Sequence, residues 1–339
     1  MTEAQRVGQL IHLGLGNDRL GPEEIDAVRT RHIGSVWFIA TTSEGSAAVR
    51  SVADAVQRLA SKKNTAHVRF FVAANQEGGL IQGLRGPGFS TIPSAVDQGK
   101  LSTSTLQADA RRWGGELIGA GVNMNFAPVM DVVPAGTESQ NQPIGVLHRN
   151  FGSTTGVVSS HGVAFLKGMS QAGVTTSAKH FPGLGRVEGN TDFSSGVVDD
   201  VTTPNDPYLE PFEAAVNAGV PFVMVALATY TKIDRHRLAV FSPTVMTILR
   251  DQIGFDGVII SDDLGEAVAI KDIPPGQRAV DFLQAGGDMI ISKTTPPALA
   301  MADAVLAKAQ SDSDFRARVD GAALRVLKAK DAAGLLPCS

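Results

Sequence analysis

The run Thr175-Thr176-Ser177-Ala178-Lys179-His180-Phe181-Pro182-Gly183 decides how the rest of the chain is read. Thr175, Thr176 and Ala178 read as a short buried strand, and the helical stretch Val157 to Ala172 leads into it. After it, Gly183, Gly185 and Gly189 argue against further helix or strand and predict a mobile loop, which carries Glu188 and Asp192. The unit is therefore helix, apolar strand, then a cation and an imidazole at the strand end beside a loop bearing carboxylates. Such a strand end suits binding a polar substrate and bringing an acid onto it.

Outward from this unit the same alternation repeats. Candidate strands are Gln9 to Leu15, Ile33 to Ala40, His67 to Ala74, Val122 to Val129, Val174 to Phe181, Pro221 to Ala228, Gly257 to Ser261 and Asp288 to Ser292. Helical patterns fall between and after them, at Glu23 to Arg31, Ala47 to Ser61, Ser104 to Gly119, Pro207 to Ala218, Ser242 to Gln252, Pro275 to Ala285, Pro296 to Ala309 and Phe315 to Ala333. The strands are continuous apolar runs, the pattern of a parallel sheet covered on both faces. Eight such units over 339 residues predict a closed (β/α)8 TIM-type barrel, with residues 1–339 as a single domain. Gly14-Leu15-Gly16-Asn17 lacks the third glycine of a dinucleotide fingerprint, so an open nucleotide-binding sheet is disfavoured. The long polar loop Pro134 to Gly152 is expected to cover the barrel mouth.

Bulk composition narrows the function classes. The chain is 43% hydrophobic and 19% charged with a net charge of −4, and it has no long basic run, which disfavours nucleic acid as a partner. The one cysteine, Cys338, allows no intrachain disulfide and no thiolate metal site, and the seven histidines are scattered, so neither metal nor cofactor is expected. No apolar run approaches the roughly 18 to 20 residues that span a bilayer, and Met1 to Arg6 lacks the layout of a signal peptide. The expectation is a cytoplasmic monomer without membrane contact.

In a barrel of this kind chemistry sits at the C-terminal strand ends. Those ends carry Asn75-Gln76-Glu77-Gly78-Gly79 on the third strand, Pro128 and Asp131 on the fourth, Lys179 and His180 on the fifth, and Asp262 and Asp263 on the seventh. Taken singly, Asp262 or Asp263 reads equally well as a helix cap and Glu77 as a solvated loop charge. Asp131 reads as a brace for the rim, and Trp37 and Trp113 as core. Together, carboxylates, amides and a Lys-His pair without a metal or phosphate motif suit carbohydrate chemistry. Glycoside hydrolysis needs two carboxyl groups flanking the bond: Asp262, fixed at a strand end, suits the nucleophile, and the loop from Arg186 to Ser195 can deliver the acid.

Four stretches, Asn75 to Gly79, Phe126-Ala127-Pro128-Val129-Met130-Asp131, Lys179 to Gly183 and Gly257-Val258-Ile259-Ile260-Ser261-Asp262-Asp263-Leu264, carry a resemblance. In type and order they resemble glycoside hydrolase family 3, in its single-domain β-N-acetylglucosaminidase (β-hexosaminidase) branch and with an actinobacterial-like loop. The resemblance implies a retaining β-N-acetylhexosaminidase of peptidoglycan turnover that removes terminal β-linked N-acetylglucosamine through a covalent glycosyl-enzyme. It implies Asp262 as nucleophile, Lys179 and His180 as sugar ligands, and Arg149 after Ile144-Gly145 as a further one. Asn75 stands where the family usually has an aspartate that accepts from sugar hydroxyls; being an amide, it donates as well as accepts. The family's Asp-Ser-His acid/base unit is replaced by Asn190, Thr191 and Asp192. Asp192 is then the expected acid/base, with Glu188 as rival and Phe193 as apolar cover. A β-glycosidase retuned to another sugar or an amino-sugar-bearing metabolite is the alternative enzyme. A catalytically impaired sugar-binding homologue is the alternative from another class.

Overall fold

In the computed structural model, which describes residues 1–337, eight parallel strands close into a barrel. They are β1 (Ile11–Leu15), β2 (Ser35–Phe38), β3 (Phe71–Ala74), β4 (Met124–Asn125), β5 (Thr175–Phe181), β6 (Phe222–Val225), β7 (Val258–Asp263) and β8 (Met289–Ser292). Each pairs in parallel with its sequence neighbours, and β1 pairs with β8, Ile11 opposite Ile290, to close the ring. Every residue of β1, β2, β3, β6 and β8 is buried, as continuous apolar runs covered on both faces require. Cys338, and the expectations attached to it, lie outside the described residues.

The helices between the strands start where the sequence supplies a cap. Ser102 accepts from the Thr105 amide to start Thr103–Gly119, and Thr154 accepts from Val157 to start Thr155–Gln171. Asp312 does the same for the terminal helix Ser313–Ala332. These two long central helices pack on each other and present Trp113 and Phe165 to the interior, both buried.

Several boundaries differ from expectation for local reasons. The fourth strand is two residues long and not eight, since Pro128 has no N–H for the ladder, although Val129 still bridges to Lys179. Gln9 belongs to an N-terminal helix, Glu3–Gln9, closed by a capping box on Thr2. Ile248–Gln252 continues its helix as a single π turn. A three-stranded sheet built from Val198–Asp199, Thr229–Tyr230 and Asp234–Leu238 flanks the rim after β5 and β6, in stretches to which the sequence assigned no element.

The end of the barrel opposite the strand C-termini is closed by one lysine. Lys330, from the terminal helix, is fully buried and donates to Gln9 Oε1 at 2.7 Å, Gly34 O at 2.6 Å and Arg69 O at 3.0 Å. Those acceptors precede β1, β2 and β3, so one ammonium ties three strand entrances to the last helix. Among the described residues no carboxylate answers its charge, and burial pulls its pKa down to about 7.

Candidate active site

The C-terminal strand ends surround a cavity of about 170 Å³ whose walls include Asn75, Arg149, Lys179, His180, Asp192 and Asp262. All six residues expected from the sequence are therefore gathered around one space. Its apolar face is Trp37, Phe126, Met224 and Ile291. Trp37 packs edge-on against Phe126 with ring centroids 5.7 Å apart, so it is a cavity wall as well as a core residue.

Two irregularities in the parallel pairing aim the polar residues. Ordinary alternation would send consecutive strand residues to opposite faces. Between β5 and β6 the partners run from Ala178 opposite Val223 to Phe181 opposite Val225, one more residue on β5 than on β6. Lys179 and His180, inside that extra step, both line the cavity. Between β7 and β8 the partners run from Ile260 opposite Met289 to Asp263 opposite Ile291, and Asp262 and Asp263 both line it too.

The adjacent aspartates are told apart by their partners. Asp263 accepts from three amides: Oδ1 from Gly265 at 2.8 Å and Lys293 at 2.9 Å, and Oδ2 from Glu266 at 3.1 Å. It fixes the turn after β7, and burial raises its pKa to about 6 despite those donors. Among the described residues Asp262 accepts only from the neighbouring Asp263 amide, at 2.8 Å, and it lines the cavity. The cap role therefore falls to Asp263.

Glu77 is not a solvated charge; it is 5% exposed and is the hub of the opposite wall. It holds Arg149 in a two-pronged pair, Nε to Oε2 and Nη2 to Oε1 both at 2.8 Å, and Lys179 Nζ lies 2.6 Å from Oε1. Burial alone would raise this carboxyl; the two cations outweigh burial and hold it at about 2. The side chain packs inward because the β3 end turns back as a hairpin, Gln76–Gly78 against Ile81–Gln82, which the sequence reading treated as open loop. Lys179 Nζ also donates to Asn75 Oδ1 at 2.9 Å.

Asp131 is the rim brace expected of it. Wholly buried, it accepts from His180 Nδ1 at 2.7 Å, from the His180 amide at 3.2 Å and from the Leu184 amide at 2.8 Å. With Nδ1–H engaged, His180 turns its Nε2 lone pair toward Arg149 Nη2, 3.4 Å away.

The loop after β5 is pinned rather than free. Gly185 is there for close approach, since a Cβ would stand 1.8 Å from the Val132 carbonyl oxygen. Asn141, from the loop between β4 and β5, donates to Leu184 O at 2.7 Å and Val187 O at 2.6 Å, and accepts from the Ile144 and Gly145 amides. At the far end the Ala269 amide donates to Thr191 O at 3.1 Å, seating the loop on the segment that follows Asp262. Asp192 thus lines the mouth beside Asp262. Crowding by protein atoms and then the like charge of Asp262 push its pKa upward, against Arg149, His180 and Lys293. Glu188 points elsewhere, lining a separate hollow with Pro134, Thr137 and Gln140. Phe193 lines the mouth and stays 79% exposed. Lys293, at the end of β8, also lines the cavity; the rule that strand ends carry the site would have found it. Among the described residues no cluster of three or more His, Cys, Asp or Glu is arranged to hold a metal ion.

The architecture agrees with comparison to known proteins. The description "Glycosyl hydrolase family 3 N terminal domain" matches residues 2–329. The chain belongs to this family. A crystal structure of a β-N-acetylhexosaminidase from Beutenbergia cavernae superposes with a TM-score of 0.95 and 45% sequence identity, over 98% of this chain and 99% of that one. A β-hexosaminidase of Vibrio cholerae serotype O1 is 34% identical over 223 residues, which span 65% of this chain and 64% of that protein's length. A β-hexosaminidase of Methylococcus capsulatus is 33% identical over 261 residues, 73% of each chain. In this family 3 chain the acidic and basic residues of the rim stand on a complete eight-stranded barrel.

Proposed function

We propose that the protein is a retaining β-N-acetylhexosaminidase that removes terminal β-linked N-acetylglucosamine. The observation that carries this is the pair of carboxylates on one cavity, Asp262 free of the turn that Asp263 fixes, and Asp192 facing it from the seated loop. The relatives and the superposable structure named above support the sugar.

In this reading Asp262 attacks the anomeric carbon while Asp192 gives its proton to the glycosidic oxygen, so that the bond to the leaving group breaks as the bond to Asp262 forms. Asp192, now ionised, takes a proton from water. The water attacks the same carbon, and Asp262 leaves as carboxylate. Lys179, His180, Arg149 and Asn75 hold the sugar. An Asp192 pKa raised in the resting enzyme suits the donor role, and Glu188, facing another hollow, is not needed. Residues 1–339 act as one domain, a cytoplasmic monomer working on peptidoglycan fragments and not on nucleic acid, in keeping with the net charge of −4. No described helix is long and apolar enough to cross a membrane.

The test is release of nitrophenol from aryl β-N-acetylglucosaminide and aryl β-glucoside, with Asp262→Asn as control. Turnover of the acetylated sugar, lost in the variant by at least about 10³-fold, supports the reading. Proton NMR should show the β-anomer as first product. An α-anomer, or turnover of the glucoside alone, would overturn the mechanism or the sugar assignment respectively.

A further inference from the structure

The wall opposite Asp262 offers the substrate hydrogen-bond donors and almost no acceptor. Lysine has three donors and no acceptor, so the oxygen of the Asn75 amide must face Lys179 Nζ, 2.9 Å away. The Nδ2 group then has no protein acceptor among the described residues, is not sealed from solvent, and belongs to a side chain that lines the cavity. Around it, Lys179 spends two hydrogens on Asn75 and Glu77 and keeps one. Arg149 engages Glu77 and Pro143 O and keeps one N–H on Nη1. The His180 Nε2 lone pair faces Arg149. Glu77 and Asp131, the carboxylates that hold these groups, are buried behind the wall and do not line the cavity.

We propose that Asn75 sets the substrate specificity of this wall, selecting a sugar whose group at that position is a hydrogen-bond acceptor that need not carry a proton. A free hydroxyl satisfies it through its oxygen. So does an etherified or esterified oxygen or an anionic substituent such as a carboxylate or sulfate, each of which an aspartate in the same place would repel or leave unpaired. The inference rests on the hexosaminidase reading for the identity of the sugar, and on the Lys179–Asn75 hydrogen bond for its sign.

Fluorine accepts a hydrogen bond and never donates one, so it separates the two possibilities. Aryl β-N-acetylglucosaminides bearing fluorine or hydrogen in place of the hydroxyl at ring positions 3, 4 and 6 are compared by kcat/KM in the wild type, Asn75→Ala and Asn75→Asp. The ratio of variant to wild type cancels the inductive effect of fluorine on the reaction. At one position the fluoro-to-deoxy ratio should be about tenfold higher in the wild type than in Asn75→Ala, and lower still in Asn75→Asp. Equal ratios in wild type and Asn75→Ala at all three positions would overturn the proposal. Thermal melting establishes that the variants fold. Calorimetric binding of the free fluoro and deoxy sugars to Asp262→Asn, with and without Asn75→Ala, gives the same comparison without turnover. A fluorine preference in binding with no hydrolysis by the wild type keeps the Asn75 assignment and removes the hydrolase reading. Hydrolysis without the preference does the reverse, and a protein that neither binds nor cleaves these sugars loses both.

Discussion

At the scale of single residues the site depends on which carboxylate is protonated and which is already occupied. In the proposed mechanism Asp192 enters the first step carrying a proton, so glycosylation should fail as pH rises through its elevated pKa. Asp192→Asn is expected to lower kcat/KM by about 10² to 10⁴-fold and to abolish that alkaline limb, readable in a pH profile with an aryl glycoside. Glu77 is a different kind of test. Its carboxyl is held at about 2, below its usual 4.5, so the stabilisation it brings is present above about pH 4.5 and is lost as pH falls through 2. Glu77→Gln leaves Arg149 and Lys179 buried without their anion and should cost about 3 kcal/mol or more in urea unfolding at neutral pH. The acid dependence of the remaining stability should flatten at the same time. Asp262 and Asp263 show where residue reading stops. Both satisfy the same sequence rule, and only the three amides converging on Asp263 assign it to the turn.

At the scale of elements the rim is two loops fastened to each other. Asn141 holds four backbone groups from the β4–β5 and β5–β6 loops, so Asn141→Ala strands buried amides and carbonyls in both. The expected result is a loss of about 2 to 4 kcal/mol in stability together with a fall in kcat/KM, since Arg149 and Asp192 ride on the two loops. Denaturant titration and steady-state kinetics read the two effects separately, and unchanged kinetics would mean the loops hold their places without the tie. The eight apolar runs, their helices and the strand-end residues were legible in the sequence because burial on both faces leaves an unbroken hydrophobic signal. The extra residue in β5 and in β7 left no such signal, because an irregular pairing is a property of two strands and neither one records it alone. The glycines of the Gly183–Gly189 stretch were read as freedom. Gly185, pressed on Val132, shows that the missing side chain makes room for contact instead.

At the scale of the whole molecule the barrel has a working end and a structural end. Lys330 at the structural end has a pKa pulled to about 7, below its usual 10.5, so the unfolded chain binds more protons between those values and stability should rise as pH climbs from 7 toward 10.5. Lys330→Met should remove that slope, measured as urea midpoints at two pH values across the window. The first and last helices meet at this same end. Arg6 pairs with Asp320 at 2.6 Å and Arg316 with Glu3 at 3.2 Å, and the Leu335 carbonyl accepts from the Arg69 amide just ahead of β3. A linker joined near either extremity of the described chain would thus leave from the pole facing away from the cavity. An electrode or resin could carry the protein by that pole with its mouth turned to the solution, and the captured enzyme should keep the turnover it shows when free.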